Sequence, residues 1–282
     1  MRAFKYIAFS LIALTACETD ANIDLQNLDP LLVANGIAKN GEVFELELSQ
    51  TKSSNDTTSF TFVNNATAIL MKEGIVVDTL TMVADSNAYY SDFNLTPGSY
   101  DLVVNSPDYP NITSSTIIPN VINYTVENIE YITDSTYNEW TGDYDYFDGY
   151  NFDLVFQDDA STTDFYLFES FNGYLETESI FIDGGNAEES YKGGFKLTAN
   201  DGAFNGQNMR INMFVESYGI NDPQLNGFVM YRLSEDYYKY YKSARAHQNA
   251  VGNPFAEYVE VYNNIQDGVG IFAGMTEGNR TN

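Results

Sequence analysis

The chain has 282 residues, of which 44% are hydrophobic, 15% aromatic and 19% charged, and its formal net charge is −27. That apolar content excludes wholesale disorder, and the length suits one large domain or two modest ones. One Cys and one His exclude a disulfide scaffold and any zinc centre built from Cys and His ligands, while 13 basic residues against 40 acidic ones exclude a nucleic-acid binder, which must neutralise phosphates with Lys and Arg.

Arg2 and Lys5 precede an apolar stretch, Tyr6 to Ala13, broken only by Ser10. A helix crossing the bilayer core needs about 20 apolar residues, so this stretch reads as a secretion signal and not as a transmembrane span. It ends in Leu14-Thr15-Ala16-Cys17, which is similar to the bacterial lipobox. The expectation is a signal peptide over residues 1–16 and a tether over 17–30. Cys17 would carry a diacylglyceryl thioether and a fatty acyl group of the palmitate kind on its new amine. Each buried methylene contributes about 0.8 kcal/mol, and two or more chains hold a protein firmly at a bilayer. The partner so implied is the outer membrane. Glu18 and Asp20 resemble the signal that sends some Bacteroidota lipoproteins to the cell surface.

The acidity is local. No Lys or Arg occurs over residues 73–191, a run of 119 residues holding 23 acids, whereas residues 192–282 hold nine acids and eight bases. Such a field repels anionic polymers and attracts divalent cations or a cationic partner, and it is equally what a saline habitat favours for solubility.

From Leu31 the pattern is short apolar runs bounded by turn residues, which predicts an all-β fold. Phe44 to Leu48 alternates with period two, giving one buried and one wet face. Ala66–Met71 and Ile75–Leu80 flank Lys72-Glu73-Gly74, a hairpin turn with Gly where positive φ is needed. Pro97-Gly98 is a second turn, leading into Tyr100–Val104, and Ile112–Ile118 is the last strand before Pro119. Roughly seven strands predict an immunoglobulin-like or transthyretin-like sandwich over residues 31–120. Residues 121–282 read as a second β-rich domain, with strands at 124–133, 150–156, 165–171, 180–182, 194–197, 210–215 and 227–233. Asp183-Gly184-Gly185 and Asp201-Gly202 are turn signals between them. One amphipathic helix is predicted near 234–250. Ser234 is its N-cap, Glu235 and Asp236 suit its positive end, Lys242 and Arg245 its negative end, and Gly252-Asn253-Pro254 its stop.

Four segments taken together carry a resemblance: residues 31–50 (LLVANGIAKNGEVFELELSQ), 95–104 (LTPGSYDLVV), 233–247 (LSEDYYKYYKSARAH) and 253–274 (NPFAEYVEVYNNIQDGVGIFAG). The chain resembles the Bacteroidota lipoproteins of the domain-of-unknown-function family numbered 4249, from about Leu31 to Gly274. The resemblance implies an amino-terminal immunoglobulin-like sandwich followed by a second β-rich domain. It also implies a possible partnership with TonB-dependent outer-membrane transporters, beside which members are often encoded. It carries over no catalytic residues. The chain departs from the family over Thr136–Gly149, an acidic, Tyr-rich insertion.

Within that region Asp143, Asp145, Asp148, Asn151 and Asp153 offer oxygen ligands of the kind Ca²⁺ takes. They do not fit an EF-hand loop, since Phe147 holds its fifth position, Gly149 comes one residue late and the twelfth position lacks Glu. The competing reading is a hairpin with a wet Asp face and a buried Tyr and Phe face, turning at Asp148-Gly149. Gly268–Gly274 lacks both the spacing and the βαβ setting of a dinucleotide fingerprint and reads as a Gly-rich closing strand. His247 reads as a solvated helical side chain beside Arg245. Paired carboxylates of a glycan hydrolase carry no information among 40 acids. Four tyrosines, Tyr237, Tyr238, Tyr240 and Tyr241, cannot all face one core, so one or two are expected at the surface as a partner face. These readings point to a non-enzymatic outer-membrane lipoprotein without a resident cofactor, an accessory or ligand-capture partner of a transporter. The alternative is a Ca²⁺-dependent surface adhesin or structural coat protein.

Overall fold

The computed structural model describes residues 29–53, 56–171, 173–177, 182–183, 196–216, 222–251, 253 and 255–281. The folded body comprises Pro30–Lys52 and Thr57–Asn282. It is all-β, with one α-helix among the described residues. The first strands are β1 (Leu32–Lys39), β2 (Val43–Gln50), β3 (Thr67–Lys72), β4 (Ile75–Thr79), β5 (Thr81–Val83), β6 (Ala88–Asn94), β7 (Gly98–Asn105) and β8 (Ile112–Ile118). There follow β9 (Asn123–Asn138), β10 (Asp143–Gln157), β11 (Phe165–Ser170), β12 (Leu175–Glu176), β13 (Ile182–Asp183), β14 (Lys196–Asn200), β15 (Asn208–Glu216) and β16 (Phe228–Leu233). Helix α1 (Glu235–Ala250) comes next, then β17 (Val269–Glu277) and β18 (Asn279–Arg280).

Period-two patterning sets the first half. In β2 Phe44, Leu46 and Leu48 are buried while Val43, Glu45 and Glu47 are wet, and in β8 Ile112, Ser114, Thr116 and Ile118 point inward. The β3–β4 turn places Glu73 and Gly74 both at positive φ, as a two-residue hairpin turn requires. The expected strand 75–80 breaks at buried Leu80: β4 stays in a four-stranded sheet (β4-β3-β7-β8), and β5 crosses to the opposite sheet. The Tyr100 hydroxyl donates to the Thr96 carbonyl at 3.0 Å and pins the corner before β7.

A nine-stranded sheet in the order β13-β14-β11-β16-β17-β1-β2-β6-β5 runs through the whole body. Between it and the four-stranded sheet lies a first core that includes Leu32, Phe44, Leu46, Leu70, Tyr100 and Phe272. Between its other half and a five-stranded sheet (β12-β15-β10-β9-β18) lies a second core that includes Phe152, Phe156, Tyr166, Phe168, Phe204 and Met230. A boundary near residue 120 therefore divides neither the sheet nor the first core, to which Ile265 and Phe272 return from the carboxy-terminal end. Strand β17 returns from the far end of the chain to pair in parallel with β1, Val33 opposite Val269 through Lys39 opposite Met275. Its glycines permit the approach: a Cβ on Gly270 would stand 2.1 Å from the Ala34 carbonyl oxygen, and one on Gly274 the same distance from that of Ile117. Helix α1 covers the opposite face of the sheet, over Leu167, Tyr231, Leu233 and Met275.

Candidate functional site

Three carboxylates meet at one end of the second core. Asp158 follows β10, Asp164 precedes β11, and Asp201 opens the short 3₁₀ turn after β14, where the Asn200 side chain accepts from the Gly202 N–H at 3.0 Å. All three are buried, with exposures of 2%, 4% and 2%, and one oxygen from each lies within 4.8 Å of the others. Arg232, buried in the apolar strand β16, reaches the same place. Its Nε donates to Asp164 Oδ1 at 2.8 Å, and its Nη2 donates to the same oxygen and, at 2.8 Å, to Thr162 Oγ1.

By donor type three carboxylates suit a hard cation such as Ca²⁺. The oxygens here are already engaged. The Tyr166 hydroxyl donates to Asp158 Oδ1, and the Gly206 N–H donates to Asp158 Oδ2 at 2.7 Å. Thr162 Oγ1 donates to Asp164 Oδ2 at 3.2 Å, and the Asp164 N–H to Asp201 Oδ2 at 2.8 Å. Among the described residues no buried side-chain nitrogen or oxygen lacks a partner. Three carboxylates against one guanidinium leave excess negative charge in a poorly solvated place. Burial raises the Asp201 carboxyl, the neighbouring Asp158 and Asp164 add to that, and the hydrogen bond from the Asp164 N–H opposes it. Burial and the bond to Asp158 likewise push the Tyr166 hydroxyl far up, so it stays a donor. The arrangement is a satisfied polar clasp joining strand ends of two sheets.

The five sequence-chosen cation ligands do not converge. Asp143, Asp145, Asp148, Asn151 and Asp153 lie along the single strand β10, and at about 3.4 Å per residue its ends are over 30 Å apart. Asp148 also falls on the opposite face from the other four by strand parity. Asp153 is claimed by Asn128 at 2.8 Å, Asn212 at 3.2 Å and Arg210 at 2.9 Å, and these bonds hold its carboxyl below the usual range. Asp145 accepts from Asn138 at 2.9 Å. The expected turn at Asp148-Gly149 is mid-strand instead: Asp148 pairs with Thr133 and Gly149 with Ile132. The chain turns at Glu139–Gly142, with Gly142 at φ +73°. Gly149 is there because the Phe214 ring of β15 occupies the space of a side chain, 2.2 Å from where a Cβ would stand.

The helix tyrosines are also placed differently. Tyr238 is buried, Tyr237 and Tyr241 pack against the cluster beneath α1, and Tyr240 is half-buried, so none of the four forms an exposed partner face. The helix itself follows its signals: Ser234 Oγ accepts from the Tyr237 N–H at 3.1 Å and the last helical residue is Ala250. His247 is not simply solvated. Its Nδ1 donates to the Val259 carbonyl at 2.8 Å, with the Tyr258 ring packed edge-on. Cys17, Gly252 and Pro254 lie outside the described residues.

The family model described as Domain of unknown function (DUF4249) matches residues 18–281. The chain belongs to this family. No curated protein matches it. In this DUF4249 member the carboxy-terminal segment has a definite structural task. The Asn264 side chain donates to the Phe272 carbonyl at 2.7 Å and accepts from its N–H at 3.0 Å, copying a strand neighbour. Tyr262 donates its hydroxyl to Asp236 at 2.8 Å and its N–H to Ser243 at 2.8 Å, fastening the segment to α1.

The clasp residues escape pattern reading because they come from three separate stretches, 158–166, 201–206 and Arg232. One signal was available: Arg232 sits inside Phe228–Leu233, an otherwise apolar strand, and a charge there must have a buried partner.

Proposed function

We propose that this DUF4249 member is a non-enzymatic outer-membrane lipoprotein, held by acyl chains on Cys17, that serves a TonB-dependent transporter as an accessory or ligand-capture partner. The observation that carries the reading is the segment Leu14-Thr15-Ala16-Cys17 behind an apolar stretch, with the chain's one Cys at that position. Leu32, where β1 begins, lies fifteen positions after Cys17, so the body would stay within about 50 Å of the bilayer. The transporter link rests on the family resemblance. The engaged state of His247, the chain's one histidine, supports a structural task for it over that of a general base.

The test has two arms. Cells fed a labelled fatty acid should yield labelled protein, and the label should vanish in Cys17→Ser. Affinity recovery from detergent-solubilised membranes at native levels should bring a transporter with it. An unlabelled, freely diffusing protein would remove the anchor, and recovery without a transporter would remove the partnership. The Ca²⁺-dependent adhesin reading keeps support only from the base-free run of residues 73–191. It requires a melting temperature that rises with Ca²⁺ and falls with chelator.

A further inference from the structure

The hairpin β9–β10 leaves the body. Among the described residues strand β10 is flanked by β15 only from Gly149 onward, so there Asp143–Asp148 pairs with β9 alone and the distal part is a two-stranded ribbon. Such a ribbon has little stability of its own in water. This one is held by the turn: Asn138 Oδ1 accepts from the Trp140 N–H at 2.9 Å, and the Asn138 carbonyl from the Gly142 N–H at 2.9 Å. Trp140, the only tryptophan in the chain, is 100% exposed at its tip. Tyr146 is 75% exposed, and Tyr137 and Tyr144, edge-to-face with ring centres 5.3 Å apart, are each 53% exposed. Glu139, Asp143, Asp145 and Asp148 are exposed among them, and no Lys or Arg lies on the ribbon or anywhere in residues 73–191.

We propose that this ribbon is the protein's docking element and that its occupant is a partner protein presenting a Lys- and Arg-bearing face. Large exposed aromatics at the tip supply the contact area from which binding energy comes. Ammonium and guanidinium groups lie favourably over aromatic rings and pair with the interleaved carboxylates. The same charge disfavours the other occupants: a second copy would bring acid against acid, and an anionic membrane or polymer would be repelled. Exposed side chains stand on both faces of the ribbon, Asp143 and Asp145 on one and Tyr144, Tyr146 and Asp148 on the other, which suits insertion into a partner's recess better than enclosure of a small molecule. This inference deepens the transporter reading and rests on the protein's working through a protein partner.

The test is in-cell photo-crosslinking of the full-length chain carrying p-benzoylphenylalanine in place of Trp140. The expected result is an adduct with one other protein, mapped to a Lys- or Arg-bearing peptide. Its yield should fall about tenfold in the combined variant Asp143→Asn, Asp145→Asn, Asp148→Asn, whose melting temperature is checked alongside. Charge reversal by Asp143→Lys with Asp145→Lys should lower it further. An adduct with a second copy, with lipid or with glycan overturns the proposal, as does no adduct or a yield indifferent to the charge variants. The outcomes separate from those of the transporter reading. An adduct with a basic protein that is not a transporter keeps the ribbon and removes the transporter. A transporter that co-purifies without an adduct from position 140 does the reverse.

Discussion

Aspartates occupy two opposite settings in this molecule. On the ribbon, Asp143, Asp145 and Asp148 stand exposed to water along a strand. In the clasp, Asp158, Asp164 and Asp201 are buried within reach of one another and rely on Arg232, Tyr166, Thr162 and backbone N–H groups to replace that water. The side chain is the same, but in the clasp its contribution depends on the supply of donors, and on the ribbon it depends on what approaches from outside. Acid count alone therefore says nothing about a cation site; the donors already facing each oxygen do.

The sharpest way to break that contrast is to withdraw the donor. Arg232→Met should destabilise the protein by about 3–5 kcal/mol, because it leaves Asp164 buried beside two further carboxylates without its guanidinium. A urea titration reads this as a lower midpoint at unchanged slope. A neutral outcome would mean that the clasp is hydrated and its charges screened. Next in size is the junction between hairpin base and ribbon. Gly149→Ala places a Cβ 2.4 Å from the Val215 carbonyl oxygen and against the Phe214 ring, at a cost of about 1–3 kcal/mol. Gly142→Ala meets no atom within 4 Å and costs only the strain of φ +73°, about 1 kcal/mol. Reversal of that order would place the turn at Gly149 after all.

These same residues show what a sequence can disclose. The β3–β4 turn, the alternation of β2 and the Ser234 cap are written within a few residues of themselves, and each is found where the pattern puts it. Asp148-Gly149 has the chemistry of a turn, yet its glycine answers to Phe214 on another strand, a demand with no local trace. Strand β17 pairs with β1 across more than 230 positions, so a boundary drawn from composition near residue 120 cannot register that the sheet continues. The number of tyrosines on α1 says little about their placement; what matters is the apolar face beneath them, which takes Tyr237, Tyr238 and Tyr241 together. In the clasp, only Arg232 stood out from its neighbours, and its partner came from 68 residues away.

A proton can neutralise charge that one guanidinium does not offset, and this sharpens the contrast further. Asp201, its carboxyl raised by burial and by Asp158 and Asp164, binds a proton more tightly folded than unfolded. Over the window from the ordinary carboxylate value up to the raised one, the folded state holds more protons, so this group's contribution to stability falls as pH rises. Above that window the charged form is present in full and the loss is complete. Asp201→Asn keeps an oxygen for the Asp164 N–H and removes the charge. It should raise the melting temperature at pH 7 and flatten that segment of the pH–stability curve, as thermal melts from pH 4 to 8 would record. A lower melting temperature at pH 7 would instead mean that Asp201 serves as an anion there.

The smallest effect is expected on the ribbon. Asp143→Asn, Asp145→Asn and Asp148→Asn together remove three charges from exposed positions, so folding stability should move by no more than about 0.5 kcal/mol. The Asn amide still offers an oxygen to the Asn138 side chain that now bonds Asp145, so the turn is kept. Calcium should discriminate between the two settings in the same way. If the ribbon acids bound the ion, millimolar Ca²⁺ would raise the melting temperature of the parent and not of this variant, since a ligand of the native state stabilises in proportion to its occupancy. Because the five candidate ligands are spread along one strand and the clasp oxygens already have donors, the expected shift is under about 1 °C in both proteins. A larger shift confined to the parent would return cation binding to the ribbon. One that persisted in the variant and disappeared with Asp201→Asn would move it to the clasp, with the ion taking the place of the Asp201 proton.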